Sequence, residues 1–251
     1  MTHHQREGPR AYPAAIGFLH TSPVHVPVFD SLLADLAPEA GAVVRVDAGL
    51  LERARAGEPA DSLARDLRTA VADLASAGAS VVVCTCSTLG PLAERIGRDG
   101  PVPVLRVDRP MADRAVRTPP DRLGEPVRVL VVIALGSTLG STTDLLVECA
   151  TTAGRAVDLA VLRCDSAWPL FEAGHPEAFV ESVADAVRTA VAPPGEGQRA
   201  RADVVVLAQA SMAAAADRLA GLGVPVLASP RAAVRHALDL ARGDAASAVS
   251  G

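Results

Sequence analysis

Residues 81–90 read Val-Val-Val-Cys-Thr-Cys-Ser-Thr-Leu-Gly, a run of β-branched side chains that stops at a thiol followed by two hydroxyls. Val81, Val82 and Val83 predict a fully buried strand, and 89–96 (LGPLAERI) predicts a helix whose first turn tolerates Pro91. Cys86, Ser87 and Thr88 therefore occupy a turn between a strand's carboxyl end and a helix's amino end. In an open α/β sheet that is where ligands bind, and free N–H groups there favour an anion and a thiolate. Cys84, inside the apolar run, reads as an inert core thiol.

The stretch occurs twice. Laying 79–96 (ASVVVCTCSTLGPLAERI) over 202–219 (ADVVVLAQASMAAAADRL) matches Ala79 with Ala202, three valines with three valines, Thr88 with Ser211 and Arg95 with Arg218. The repeat runs on, with Val102-Pro103-Val104-Leu105 recurring as Val224-Pro225-Val226-Leu227. Two similar halves are implied, each offering one strand-end turn. Cys86 falls on Gln209, so one half presents an acid/base where the other presents a neutral amide.

Around this pair the chain alternates strand and helix patterns. Strands are predicted at 14–20, 42–46, 81–83, 102–107, 127–135, 157–163, 203–208 and 224–228. Helices are predicted at 26–36, 61–77, 89–96, 111–117, 142–153, 177–191 and 230–241, with a shorter one from Ser166. Asp61 or Ser62 is the expected cap of the second helix, and Pro101 and Pro103 put the fourth strand at an edge. The fold class is α/β, with two pseudo-symmetric parallel-sheet (Rossmann- or flavodoxin-like) domains. The expected organisation is a flexible arm at 1–13, a first half at 14–118 and a linker at 119–126. A second half at 127–229, a last helix at 230–242 free to pack on the first half, and a loose tail at 243–251 complete it.

Composition narrows the function. The 251 residues are 49% hydrophobic, enough for a sizeable core. A net charge of -5, with the 24 basic residues spread along the chain, leaves no basic patch for nucleic acid. Four cysteines, Cys84, Cys86, Cys149 and Cys164, show no zinc spacing and predict no metal. Reduced thiols suit a cytoplasmic setting. No apolar run is long enough for a membrane span, and the polar opening is not a secretory signal. A homo-oligomer is compatible with the sequence, although no pattern specifies one.

With these pieces assembled, the chain resembles the Asp/Glu racemase superfamily of cofactor-independent enzymes over about residues 14–242. That superfamily includes hydantoin racemase, maleate isomerase and arylmalonate decarboxylase. Cys86-Ser87-Thr88 looks like the family's Cys-Asn-Thr turn, and 206–212 (VLAQASM) looks like its second, Val-Leu-Gly-Cys-Ala-Gly-Met motif, with Thr138 following the fifth strand. The resemblance implies two domains facing across a cleft, no cofactor, and a small carboxylate substrate attacked at its α-carbon. Gln209 departs from it by standing where the racemases place a second cysteine.

Removing a weakly acidic α-proton needs a positioned base and donors that stabilise the enediolate. Cys86 is the expected acid/base, with His20 as a further candidate for tuning it or contacting substrate. Thr21, Ser22, Ser87, Thr88, Ser137, Thr138, Gln209, Ala210 and Ser211 are the expected substrate-holding shell; helix capping is the ordinary alternative for the hydroxyls. Asp47 and Asp108 are expected to be caps or structural partners. A racemase or isomerase is the first reading. A decarboxylase, which needs one proton donor, is the second, and a non-catalytic carboxylate-binding or regulatory protein the third.

Overall fold

A computed structural model of the chain describes residues 15–192 and 201–249. The arm expected at 1–13 and the Pro/Gly-rich loop at 193–200 lie outside the described residues. In the first half the order is β1 (Ala15–His20), α1 (Val26–Leu36), β2 (Ala42–Val46), α2 (Ala48–Arg55), α3 (Ala60–Ser76), β3 (Ala79–Cys84), α4 (Gly90–Gly97), β4 (Val104–Arg106) and α5 (Arg109–Val116). The second half repeats the theme: β5 (Val127–Ile133), α6 (Thr138–Thr152), β6 (Val157–Arg163), α7 (Trp168–Glu172), α8 (Pro176–Val191), β7 (Val204–Leu207), α9 (Ala215–Arg218), β8 (Val226–Ala228) and α10 (Ser229–Val249).

Two four-stranded sheets result, ordered β2-β1-β3-β4 and β6-β5-β7-β8, with every pairing parallel. The near-continuous apolar runs of β3 and β7 are central and buried, as parallel strands covered on both faces must be. Strand order reverses between β1 and β3, and again between β5 and β7. Leu19 pairs with Cys84 and Val132 with Leu207, so at each reversal the two strands end side by side. Those crevices are the switch points where α/β sheets bind ligands.

Helices cover both faces by their apolar stripes. In α3, Leu63, Leu67, Ala70, Val71 and Leu74 recur at helical spacing and pack on β1 and β3; in α8, Phe179, Val183 and Val187 do the same for the second sheet. Each such buried aliphatic side chain contributes about 1.5–3 kcal/mol. The helices that follow the edge strands β4 and β8 are exchanged between halves. Met111, Ala112, Ala115 and Val116 of α5, which the sequence boundary assigns to the first half, join the core of β5, β7 and α6. Val234, Ala237 and Leu238 of α10 pack on β1, β3 and α1.

Four sequence expectations need correction. Ala48–Arg55 is a helix that the sequence reading left unassigned, and α6 starts at Thr138 rather than four residues later. The residue capping α3 is Pro59, with no side-chain cap, so neither Asp61 nor Ser62 plays that part. Gly243 does not end the last helix, which continues to Val249. One glycine costs about 1 kcal/mol in a helix, and the alanines at 245, 246 and 248 favour continuation.

Candidate functional site

Beyond Cys84 the chain leaves β3, and the turn 85–89 delivers Cys86 to the crevice beside β1. Cys86 is 7% exposed and lines a cavity between the halves, the only cysteine to do so. Burial pushes its thiol pKa up, while the Thr21 hydroxyl and the backbone N–H groups of Leu89 and Thr88 pull it back part of the way. Burial wins over the turn amides that favour a thiolate, so Cys86 rests as a neutral thiol. Cys84 is wholly buried, its thiol pushed up to about 12, and it points at the Cys86 carbonyl 3.8 Å away. Cys149 and Cys164 are buried in cores of the second half. All four are free thiols.

His20 closes β1 and stands one layer behind the cavity rather than in it. Thr85 Oγ1 donates to Leu19 O at 3.1 Å, so at 2.8 Å it accepts from His20 Nδ1–H. That assigns the tautomer and leaves Nε2 as a bare lone pair, buried without a partner. The ring packs against Phe18 and Phe29. Burial, and secondarily His25, lower its pKa to about 4. Thr21 lines the cavity; Ser22 does not.

From the second half, Thr138, Gln209, Ala210 and Ser211 line the same cavity, so Cys86 and Gln209 share one space. Gln209 Oε1 accepts from Ala134 N at 2.6 Å and Leu135 N at 3.0 Å, which clamps the amide onto the turn after β5. Ser87 and Thr88 both line the cavity and both reach across. Ser87 Oγ donates to Ala208 O at 3.1 Å, and Thr88 Oγ1 lies 3.4 Å from Ser137 Oγ. Ser137 bridges in this way without lining the cavity.

Asp108 and Arg106 form a buried bidentate pair at 2.7 and 3.0 Å, and Arg106 Nη2 donates to Ser141 O of α6 at 2.9 Å. Asp108 is thus a structural partner. Gly90 makes room for this strut: a Cβ there would lie 3.0 Å from Arg106 Cβ and 3.1 Å from its Nε.

Sequence reasoning missed Thr85, His25, Leu51, Leu135 and Trp168, all of which line the cavity. Leu51 comes from the unassigned α2. Trp168 is the sole tryptophan of a chain with 2% aromatic residues, which was the available signal. Its indole stacks on Phe171 and its Nε1 donates to Glu172 at 2.7 Å, while Phe171 stacks on His25 across the cleft.

The cavity is small, about 50 Å³, room for a few waters or a carboxylate. A groove of about 730 Å³ lies elsewhere, between α1, α5, α10 and the 213–217 segment. It is larger but receives no thiol and neither strand-end turn. Among the described residues, no group of three His, Cys, Asp or Glu converges as a metal site. No helix there is long and apolar enough to cross a membrane.

Fold and site together define a class: a two-domain α/β protein whose inter-domain cavity sets one thiol among hydroxyls and amides. The chain belongs to the Asp/Glu/hydantoin racemase family, whose family model matches residues 27–237. It is accordingly an isomerase of the racemase type. An aspartate racemase homologue from Pyrococcus horikoshii OT3 superposes with TM-score 0.63 at 14% identity, covering 91% of this chain and 99% of that one. A glutamate racemase from Bacillus anthracis gives 0.62 at 14%, covering 93% and 84%. The allantoin racemase of Klebsiella pneumoniae gives 0.58 at 17%, covering 90% and 87%. No curated protein sequence matches the chain.

Proposed function

We propose that the protein acts without a cofactor at the α-carbon of a small carboxylate, with Cys86 as the acid/base. The observation that carries this is the placement of Cys86 as the one cavity thiol, ringed by Thr21, Ser87, Thr88, Thr138 and Ser211 from the two switch points. Cys86 first gives up its own proton to water; the Sγ thiolate then takes the α-proton, the electron pair moves onto the carboxylate as an enediolate, and hydroxyls and turn amides hold the developing charge. Return of that proton from Sγ to the same face gives exchange alone; inversion takes a proton from water on the opposite face, after which Sγ releases its proton and the thiolate is restored. The chain contains no lysine, so it offers no side-chain amine for a Schiff base with a carbonyl cofactor. Four free thiols fit a reducing, cytoplasmic compartment.

A second reading is favoured by one observation, the burial that keeps Cys86 protonated. Loss of carbon dioxide from a malonate-type acid generates the carbanion without a base, and a neutral thiol is ready to protonate it. Proton NMR of α-amino, α-hydroxy and malonate-type acids in deuterium oxide separates the readings, because exchange, inversion and decarboxylation give different spectra. Cys86→Ala should abolish the reaction and leave the fold intact. Turnover that survives this substitution would refute the assignment, and binding without any reaction would point to a non-catalytic carboxylate-binding protein.

A further inference from the structure

We infer that the groove of about 730 Å³ between α1, α5, α10 and residues 213–217 binds a small amphipathic anion, a carboxylate or phosphate head on an apolar body, which acts as an effector of the thiol cavity. This goes beyond the proposed α-carbon chemistry and does not depend on it. The groove has the ordinary volume of a small-molecule site.

Its charge is one-sided. Arg114 of α5 and Arg231 and Arg235 of α10 line it, against a single acidic side chain, Asp217. Arg231 is taken by Asp35 of α1 at 2.7 Å. The Arg114 and Arg235 side chains form no hydrogen bond or ion pair with any described residue, and both are exposed. In a chain of net charge -5, two open guanidiniums on one groove make a local positive field. Such forks hold a carboxylate or phosphate bidentately. Much of the remaining wall is apolar, with Val28 and Leu32 of α1, Met111 of α5 and Leu227 of β8. That wall suits an alkyl or aryl body, and the arginines exclude a cation.

The place of the groove gives its occupant leverage. Helix α5 follows the first sheet's edge strand but packs on the second sheet, α10 does the reverse, and the two helices pack on each other. Rotation of one half against the other therefore moves α5 against α10. An anion held by Arg114 on one helix and Arg235 on the other binds two such arrangements with different affinity, which is the requirement for an effector. Two walls of the groove also continue segments of the cavity. Helix α1 begins just after Thr21 and His25, and 213–217 begins just after Gln209, Ala210 and Ser211, all of which line the cavity.

The test titrates the full chain with octyl phosphate, octanoate, octylammonium and inorganic phosphate, followed by calorimetry, in wild type and Arg114→Gln/Arg235→Gln. Both substituted side chains are exposed, so the variant keeps its core. At least one octyl anion should bind wild type roughly tenfold or more tighter than octylammonium or inorganic phosphate. That affinity should fall by roughly tenfold or more in the double variant. A lead for octyl phosphate assigns a phosphate ester as the head, and a lead for octanoate assigns a carboxylic acid. Octylammonium binding as tightly as the anions, or anion binding untouched in the double variant, overturns the site.

The effector role has its own readout. Trp168 is the sole tryptophan, and it lines the cavity and not the groove. Its emission should change with the midpoint of the calorimetric titration and stay constant in the double variant. Emission unmoved at saturation overturns the effector role, and a change that persists in the double variant puts the probe in the cavity and overturns it equally. None of these outcomes depends on turnover at Cys86, so this inference and the proposed reaction can fail separately.

Discussion

Lowering the pH should unfold the protein through His20. A second proton on that ring must sit on Nε2, which is fully buried against Phe18 and Phe29 and faces no acceptor. The folded pKa is accordingly lowered from 6.5 to about 4. Because the folded value lies below the unfolded one, the group's contribution is fully present above pH 6.5 and is lost as pH falls toward 4. At 1.36 kcal/mol per pKa unit the loss is about 3 kcal/mol, a large share of an ordinary folding free energy. His20→Asn is the informative variant, because its side-chain N–H can still donate to Thr85 but does not titrate. Urea denaturation from pH 7 to pH 4 at fixed ionic strength should show wild type losing about 3 kcal/mol more than His20→Asn. Parallel pH dependences, or an imidazole that titrates near 6.5 by NMR, would refute the argument. A neutral, walled-off His20 is also unable to deliver the second proton of a two-base racemisation, which links this measurement to the mechanism.

Two further outcomes follow from the contacts. Arg106→Met leaves Asp108 buried and unpaired and releases Ser141 O, so it should cost about 3–5 kcal/mol by thermal or urea unfolding; a cost below about 1 kcal/mol would show that the pair is not buried in solution. Gln209→Cys removes the acceptor for the Ala134 and Leu135 amides and should cost about 1–3 kcal/mol, yet it adds an acid on the second face. It should therefore raise racemisation of any substrate whose α-proton wild type exchanges with one configuration, and equal racemisation of both enantiomers by wild type would defeat the one-thiol reading.

Much of the fold is written locally. The triple valines and the Val-Pro-Val-Leu repeats specify strands by β-branching, and the bounds of α1, β2 and β6 coincide with their apolar patterns. What stayed hidden depends on partners far away in sequence. The α2 segment, AGLLERAR, buries only Leu50 fully, so its stripe is too thin to read, and it forms a cleft wall because Leu51 meets the cavity. The exchange of α5 and α10 is invisible for the same reason: their apolar faces say that they pack, not on which sheet. Among the residues that line the cavity, Cys86, Thr88 and Gln209 were legible from the repeat. Trp168 and Leu135 were not, since their place depends on how the two halves close. The sequence pattern also could not show that burial outweighs the helix amino end at Cys86, because desolvation is a property of the assembled cleft.

The repeat gives the Cys86–Gln209 asymmetry a physical form. In each half the second residue beyond the third strand reaches back to the turn after the first. Cys86 meets the Thr21 hydroxyl there, and Gln209 meets the Ala134 and Leu135 amides. A cysteine is too short to accept from both of those amides, whereas a glutamine reaches them and still has an N–H end to spare. Replacing thiol by amide thus does more than delete an acid: it exchanges a proton carrier for a turn clamp with a donor attached. A carbon held between the two positions meets a transferable proton on one side and a fixed hydrogen bond on the other. With Cys86 as the acid/base proposed above, the proton it carries would reach only one face, and any proton on the Gln209 face would have to come from water.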